Sequence, residues 1–296
     1  MSFMSPIGKR ATANGVTVSR RSRRARLGQH LLRDERVLDR IVDAVPDDAL
    51  PLLEIGAGDG ILTTRLAQLG RSLVSIELDP GLAYRTRRRL RAAGTDSDVM
   101  VIEQDILDTD PDEALSAVGA CPPYGLVGNL PYAITAPVFR KFLEREVTRP
   151  EWMLVMTQLE VAQRVSAGAG KSSLLSVSVQ FYAEPEVLFV VERESFSPPP
   201  QVRSAVMLLR VRPQPAVEVP SIERFFEVVR AGFRSPRKQL HNALSQGVWT
   251  GPEGATTWLA ACGIDSTRRP GTLTLDEWAR LAWWRERKLG SSLATQ

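Results

Sequence analysis

Short apolar runs alternate along the chain with longer amphipathic stretches. Leu50-Pro-Leu-Leu-Glu-Ile-Gly, Leu73-Val-Ser-Ile-Glu77, Val99-Met-Val-Ile, Leu126-Val-Gly and Trp152-Met-Leu-Val-Met have the length and content of buried strands. Between them, residues 61–69, 80–93, 134–146 and 158–167 carry helical spacing. Ahead of the first strand, Asp34 can cap a helix whose Val37, Leu38, Ile41, Val42 and Val45 share one face. Alternation of this kind predicts a parallel sheet with helices on both faces. Residues 172–183 fit either a helix or a strand. Val187-Leu-Phe-Val-Val and Ala205-Val-Met-Leu-Leu read as strands on either side of Phe196-Ser-Pro-Pro-Pro, and Arg212-Pro-Gln-Pro ends the pattern. Beyond it Trp258, Leu259, Leu273, Leu275, Trp278, Leu281 and Ala282 predict a smaller helical unit.

Composition narrows the class. Of the 296 residues, 43% are hydrophobic and 24% charged, as in an ordinary soluble globular protein. No run of 18 apolar residues occurs, so no membrane span is expected. Cys121 and Cys262 form no metal or redox motif and suit a reducing, cytoplasmic setting. With only two histidines a His-rich metal site is excluded, and no metal is expected. Charge is unevenly placed: residues 1–33 hold eight Lys/Arg and no acid, which leaves residues 34–296 at −4 within a total of +4. Such an arm suits binding to nucleic-acid phosphates. A solvated tail and an Arg-rich transit peptide share the same composition.

Candidate chemistry gathers at the carboxyl ends of the expected strands. Gly56-x-Gly58-x-Gly60 follows one strand and opens a helix, as a backbone that must approach a ligand closely requires. Glu77 ends the second strand, where a carboxylate can take both ribose hydroxyls, and Asp105 follows the third, within reach of an adenine amino group. The glycines and Glu77 alone also fit a nicotinamide-dinucleotide enzyme. Asn129-Leu-Pro-Tyr132, after the fourth strand, argues against that: it offers an amide oxygen, a backbone carbonyl and an aromatic face beside a stiff Pro131 turn. Those groups suit the exocyclic amine of a base next to a methyl donor.

Together these stretches resemble the ribosomal RNA adenine N6-dimethyltransferases. The matching segments are Leu27-Gly-Gln-His-Leu-Leu, Glu54-Ile-Gly-Ala-Gly-Asp-Gly, Ile76-Glu-Leu-Asp, Gln104-Asp105, Gly128-Asn-Leu-Pro-Tyr-Ala-Ile-Thr, Phe196-Ser-Pro-Pro-Pro-Gln-Val-Arg-Ser-Ala and Gly263-Ile-Asp. They cover roughly residues 26–286. Two branches compete: the KsgA-type, which dimethylates two adjacent adenosines near the 3′ end of small-subunit rRNA, and the Erm-type macrolide-resistance enzymes, which modify large-subunit rRNA. Phe196-Ser-Pro-Pro-Pro and Phe233-Arg-Ser-Pro-Arg-Lys-Gln-Leu-His-Asn-Ala-Leu favour the first. The long basic arm and Met156-Thr-Gln-Leu-Glu160 are nearer the second. His30 stands where most relatives carry Asn, Leu31 where Phe is usual, and Ala133 where a larger residue is usual. A DNA adenine methyltransferase, and a non-catalytic assembly or transcription factor on the same fold, are the remaining alternatives.

The resemblance implies an α/β, class I methyltransferase fold: a Rossmann-like sheet, mostly parallel with one antiparallel strand, plus a small C-terminal helical domain. The expected layout is a basic arm at 1–26, a methyltransferase domain at 27–212 and an RNA-binding helical domain at 213–296. It implies S-adenosyl-L-methionine as donor. The Gly56 loop with Gly58 would take the methionine end, and Gln29, His30 and Leu32 would close over it. Glu77 would hold the ribose, and Asp105 and Ile106 the donor adenine. Asn129, beside the donor, and Leu130 would hold the acceptor amine at the Pro131 turn. Tyr132 would stack on the target base, with Phe196 on its other face. Ribosomal RNA, in immature small subunits, would be the partner of a monomeric enzyme. RNA contacts are expected from the arm (Arg21, Arg23, Arg24), from the helix bearing Arg85, Arg87, Arg88, Arg89 and Arg91, and from Arg234, Arg237 and Lys238.

Overall fold

The computed structural model describes residues 30–95, 99–146, 148–247 and 251–293. Arg21, Arg23, Arg24 and Gln29 lie outside the described residues.

The chain enters through a two-residue strand, β1 (Leu31–Leu32), and a helix, α1 (Glu35–Asp43). Asp34 caps α1, its Oδ1 accepting from the N–H groups of Arg36 (3.0 Å) and Val37 (3.4 Å). The glycine loop joins β2 (Leu52–Ile55) to α2 (Ile61–Ala67). Next come β3 (Leu73–Glu77), α3 (Pro80–Ala93), β4 (Val99–Glu103) and α4 (Pro111–Ser116). Both α3 and α4 start on an Asp-Pro pair: Asp79 and Asp110 accept from the first free N–H groups, and Pro80 and Pro111 supply a preset φ. β5 (Gly125–Asn129) leads through a 3₁₀ turn, Tyr132–Ile134, into α5 (Thr135–Arg140), which continues as a π-helical turn over Lys141–Arg145. β6 (Trp152–Gln158), α6 (Leu159–Val165), α7 (Leu174–Tyr182) and β7 (Ala183–Val191) follow. A second two-residue strand, β8 (Phe196–Ser197), precedes β9 (Ser204–Val211). Four helices complete the described chain: α8 (Ile222–Phe233), α9 (Leu240–Gly247), α10 (Gly251–Ala261) and α11 (Leu275–Leu293).

One sheet has seven strands in the order β4-β3-β2-β5-β6-β9-β7. The pairs from β4 to β6 are parallel, and β9 is antiparallel to both β6 and β7. β9 is thus the single reversed strand, as the resemblance implies. The order runs outward both ways from β2 and β5, so their carboxyl ends flank the crevice where ligands of open sheets bind. Residues 172–183, open in the sequence, are helical to Tyr182 and turn to strand at Ala183.

Strand residues alternate between two cores. Leu53, Ile55, Met153 and Val155 enter one, while Leu52, Trp152, Leu154 and Met156 enter the other with Val37, Leu38 and Ile41 of α1. The first core continues past the expected boundary at residue 213. Phe181 of α7 stacks on Phe225 of α8 at 4.6 Å between ring centroids and meets Phe226 edge-on at 5.3 Å. Trp258 and Trp278 are fully buried behind them. The C-terminal helices are therefore packed onto the sheet domain through shared aromatic rings.

Candidate active site

Glycine loop and strand-end acids form one wall. Gly58 has φ +60 and Gly60 φ +83, conformations that glycine adopts without strain. In that geometry Gly58 N–H donates to Glu77 Oε2 (2.9 Å), and a Cβ on Gly60 would meet Thr86 Cα of α3 at 2.9 Å. Thr86 Oγ1 donates to the Gly58 carbonyl (3.2 Å), so loop and helix are fastened together. Glu77 is 4% exposed and its other oxygen, Oε1, accepts from Asp79 N–H (2.8 Å). Burial pushes the Glu77 carboxyl above its ordinary range, and the N–H groups of Asp79 and Gly58 oppose that. One residue inside β2, Glu54 is 1% exposed; Ser75 Oγ donates to its Oε2 (2.6 Å), and the Thr63 hydroxyl lies close by. Burial lifts the Glu54 carboxyl to about 7. Asp105 Oδ1 accepts from Leu107 N–H (2.9 Å), and Oδ2 makes no bond within the described residues.

Asn129 and its turn form the second wall. Leu130 N–H extends the ladder to the Met156 carbonyl (3.0 Å), and the Leu130 side chain is buried, so the Pro131 turn begins from a fixed point. Asn129 Nδ2 donates to the His30 carbonyl (3.2 Å), which leaves Oδ1 uncommitted. This contact is to backbone, so the His at position 30 in place of Asn does not disturb it. His30 Nδ1 donates to the Pro198 carbonyl (2.8 Å), since a carbonyl can only accept. The His30 and Tyr132 rings lie 6.0 Å apart and 30° from parallel. Tyr132 Oη is held by Ser204 Oγ of β9 (2.9 Å).

A strap joins the two walls. β1 pairs antiparallel with β8, Leu31 opposite Ser197 and Leu32 opposite Phe196. Arg33 N–H donates to the Ser195 carbonyl (2.7 Å), and Ser195 Oγ donates to Asp34 Oδ2 (3.0 Å). Arg33 also pairs with Asp59 of the glycine loop (2.5 Å).

These elements enclose a cavity of about 210 Å³. It brings together His30, Gly56, Gly58, Glu77, Asp105, Ile106, Asn129, Leu130, Pro131, Tyr132 and Phe196 from the sequence reading. Leu32 does not join them: its side chain packs in the core with Phe196, and Leu31 takes the place on the wall. Phe196 is only 4% exposed, so most of its ring serves the core. Arg234, Arg237 and Lys238 stand apart at the end of α8, exposed and without acidic partners among the described residues. Leu78 and Leu82, beside Glu77 on the cavity wall, were not among the sequence-predicted site residues. Leu78 carried a readable signal, an apolar residue directly after the strand-end acid; it is 50% exposed and lines the cavity.

Among the described residues the lining contains no Ser, Cys, Lys or Arg. Its polar side chains are His30, Glu77, Gln104, Asp105, Asn129 and Tyr132, among which hydrogen-bond acceptors dominate. That arrangement suits two bound substrates reacting with each other, each recognised through its N–H and O–H donors.

The chain matches the model of the family described as Ribosomal RNA adenine dimethylase over residues 20–286. It is 42% identical over 276 residues to Ribosomal RNA small subunit methyltransferase A of Pelotomaculum thermopropionicum, covering 88% of this chain and 90% of that one. The protein of the same name from Dehalococcoides mccartyi is 39% identical over 258 residues, 86% of each chain. Among solved structures, the 23S rRNA methyltransferase ErmE shares 30% identity at a TM-score of 0.66, over 86% of this chain and 98% of that one. A dimethyladenosine transferase from Plasmodium falciparum shares the fold at a TM-score of 0.70 and 22% identity, over 88% and 98% of the two chains.

Proposed function

The chain belongs to the ribosomal RNA adenine dimethylase family, and from that premise we propose that it transfers methyl groups from S-adenosyl-L-methionine to the N6 amines of two adjacent adenosines near the 3′ end of small-subunit rRNA. The observation that carries this reading is the set of uncommitted acceptors around one cavity: Asn129 Oδ1, Asp105 Oδ2 and the remaining lone pairs of Glu77. They fit a nucleoside donor and an amino acceptor, which offer hydroxyl and amine protons and need partners that accept.

The donor, when bound, supplies a methyl group on a sulfonium, and its loss leaves a neutral thioether. Glu77 would hold the ribose, Asp105 and Ile106 the adenine, with Leu78 and Leu82 covering its apolar faces. The Gly56 loop and the His30 segment would take the methionine end. On the acceptor side, the lone pair of adenine N6 is delocalised into the ring and points poorly at an electrophile. Asn129 Oδ1 and the Leu130 carbonyl accept its two hydrogens and turn the lone pair towards the methyl group. Transfer would form the C–N bond as the donor's C–S bond breaks, and the alkylated nitrogen would then release a proton to solvent. Such positioning contributes on the order of 7–11 kcal/mol at most. Tyr132 stacks on the extruded base, which offsets part of the unstacking cost by roughly 1–3 kcal/mol. After the first transfer one N–H remains, and the small Ala133 beside Tyr132 leaves room for the methyl group already present.

Arg234, Arg237 and Lys238, with the basic arm, would hold RNA phosphates. A second reading, large-subunit rRNA as substrate, is favoured by the likeness to ErmE and is settled by one experiment. Immature small subunits and large subunits are incubated separately with the protein and labelled donor, and methylated adenosines are mapped by mass. Dimethyladenosine confined to small-subunit rRNA is the expected result. Label confined to large-subunit rRNA overturns the choice of subunit.

A further inference from the structure

A basic surface lies on the outer side of α3. The helix turns Leu82, Ala83, Thr86 and Leu90 inwards. At about 100° per residue, Tyr84, Arg85, Arg88 and Arg91 then fall on the opposite side. All four are exposed, Tyr84 by 64%. The other two arginines of the run are committed to the fold: Arg87 pairs with Glu103 (2.5 Å) and the Val101 carbonyl (2.8 Å), and Arg89 donates to the Asp59 carbonyl (2.9 Å). Arg85, Arg88 and Arg91 make no ion pair or hydrogen bond among the described residues, and α3 itself contains no acid. A merely solvated helix face usually intersperses both signs of charge. This one sets three guanidiniums, without an acidic partner among the described residues, on the same side as an exposed tyrosine, in a chain whose residues 34–296 are net acidic.

We propose that Tyr84, Arg85, Arg88 and Arg91 form a further contact surface for the substrate RNA, the arginines on consecutive phosphates and the tyrosine ring against a base or sugar. The inference rests on the RNA methyltransferase reading above. Charge complementarity selects the partner: a polyanion with flat, stackable groups satisfies both the guanidiniums and the ring. Position supports it. α3 also contributes Leu82 to the cavity wall, and Leu78 lies just ahead of its first turn. From Tyr84 to Arg91 the stripe runs about 10 Å along the helix, long enough to track neighbouring phosphates. The stripe faces away from Leu82 and the cavity, so the RNA that meets it would be sequence flanking the target base, carried round the outer side of α3. Thr86 and Arg89 fasten the helix to the glycine loop, so the contact is made by a rigid element.

The test compares the wild type with Arg85→Gln/Arg88→Gln/Arg91→Gln and with Tyr84→Ala, using deproteinised small-subunit rRNA as probe over a series of salt concentrations. In the triple variant the slope of log K against log salt should flatten by about 2, at roughly 0.7–0.9 for each phosphate no longer neutralised. Tyr84→Ala should weaken binding at every salt concentration and leave the slope unchanged. Donor affinity by calorimetry and the unfolding midpoint should match the wild type in both, because these side chains are exposed. An unchanged slope in the triple variant, or equal loss of affinity for anionic lipid vesicles and for RNA, would overturn the proposal. If the wild type itself transfers no methyl group to rRNA, the underlying reading fails instead, and the two outcomes are distinguishable.

Discussion

At Asn129 the two ends of one amide have different tasks. The nitrogen is anchored to the His30 carbonyl, and the oxygen, without a partner among the described residues, is the group proposed to take the acceptor amine. Asn129→Ala should therefore lower methyl transfer by about 100-fold or more, the scale of a misplaced reacting group, while donor affinity by calorimetry changes little. Retained turnover on small subunits would sink the role given to this oxygen. Glu54 lends itself to a separate test. Burial raises its carboxyl from 4.5 to about 7, against the Ser75 hydroxyl, so the folded state holds a proton there that the unfolded chain has released. Its stabilising contribution is complete below pH 4.5 and is lost as pH rises through 7. Glu54→Gln does not titrate, so denaturant unfolding at pH 5 and pH 8 should show the variant gaining about 3 kcal/mol on the wild type across that interval. A difference independent of pH would mean that Glu54 does not titrate in this window.

Elements differ in how openly they announce themselves. The strand-end site was legible because each chemical residue follows an apolar run of countable length, and β2 to β6 emerge where those runs lie. α7 was not legible. Val177, Val179, Phe181 and Tyr182 are buried around much of its circumference, so the amphipathic period that marks a helix is lost. Its capping box also uses Ser176 in place of the Glu or Gln that would signal it. β1 and β8 are two residues each, and their pairing spans most of the methyltransferase domain, beyond any local pattern. α3 had an ambiguous run of arginines, and its packing divides them into Arg87 and Arg89, which hold the fold, and the exposed remainder. The contact between α3 and the glycine loop carries its own prediction. Gly60→Ala combines a left-handed φ with a Cβ placed 2.9 Å from Thr86 Cα, and should cost about 2–4 kcal/mol and weaken donor binding. Gly70→Ala has a similar φ, +68, and open space, so unfolding experiments should show only about 1–2 kcal/mol there and no change in donor affinity.

Across the whole molecule, the expected boundary at residue 213 falls in a connecting segment between β9 and α8, yet the core does not divide there. Phe181 and Tyr182 on one side pack with Phe225 and Phe226 on the other. Phe225→Ala should cost about 3–5 kcal/mol and lower the midpoint of one shared unfolding transition. Two separated transitions, with only the later one unmoved, would show that the helical part unfolds on its own. The Ser266–Glu277 region adds local order: Arg268 pairs with Glu277 (2.6 Å), which also caps α11 by accepting from Thr274 N–H (2.9 Å). The Arg268 hydrogen bond holds the Glu277 carboxyl below its ordinary range.

The strap made by β1 and β8 has a consequence for how such a chain can change over generations. Leu31 and Leu32 belong to the proposed donor side by sequence position, and Phe196 and Ser197 to the loop proposed to border the target base, yet they are one ladder with Ser195 and Pro198 bonded at its ends. Substitutions that reshape the Phe196 loop will also shift the β1 segment on the cavity wall, the segment proposed to close on the donor. New specificity in this chain cannot be acquired as a detachable module: each step towards another substrate is also a trial of methyl-donor affinity, and viable lineages are those that repair both together.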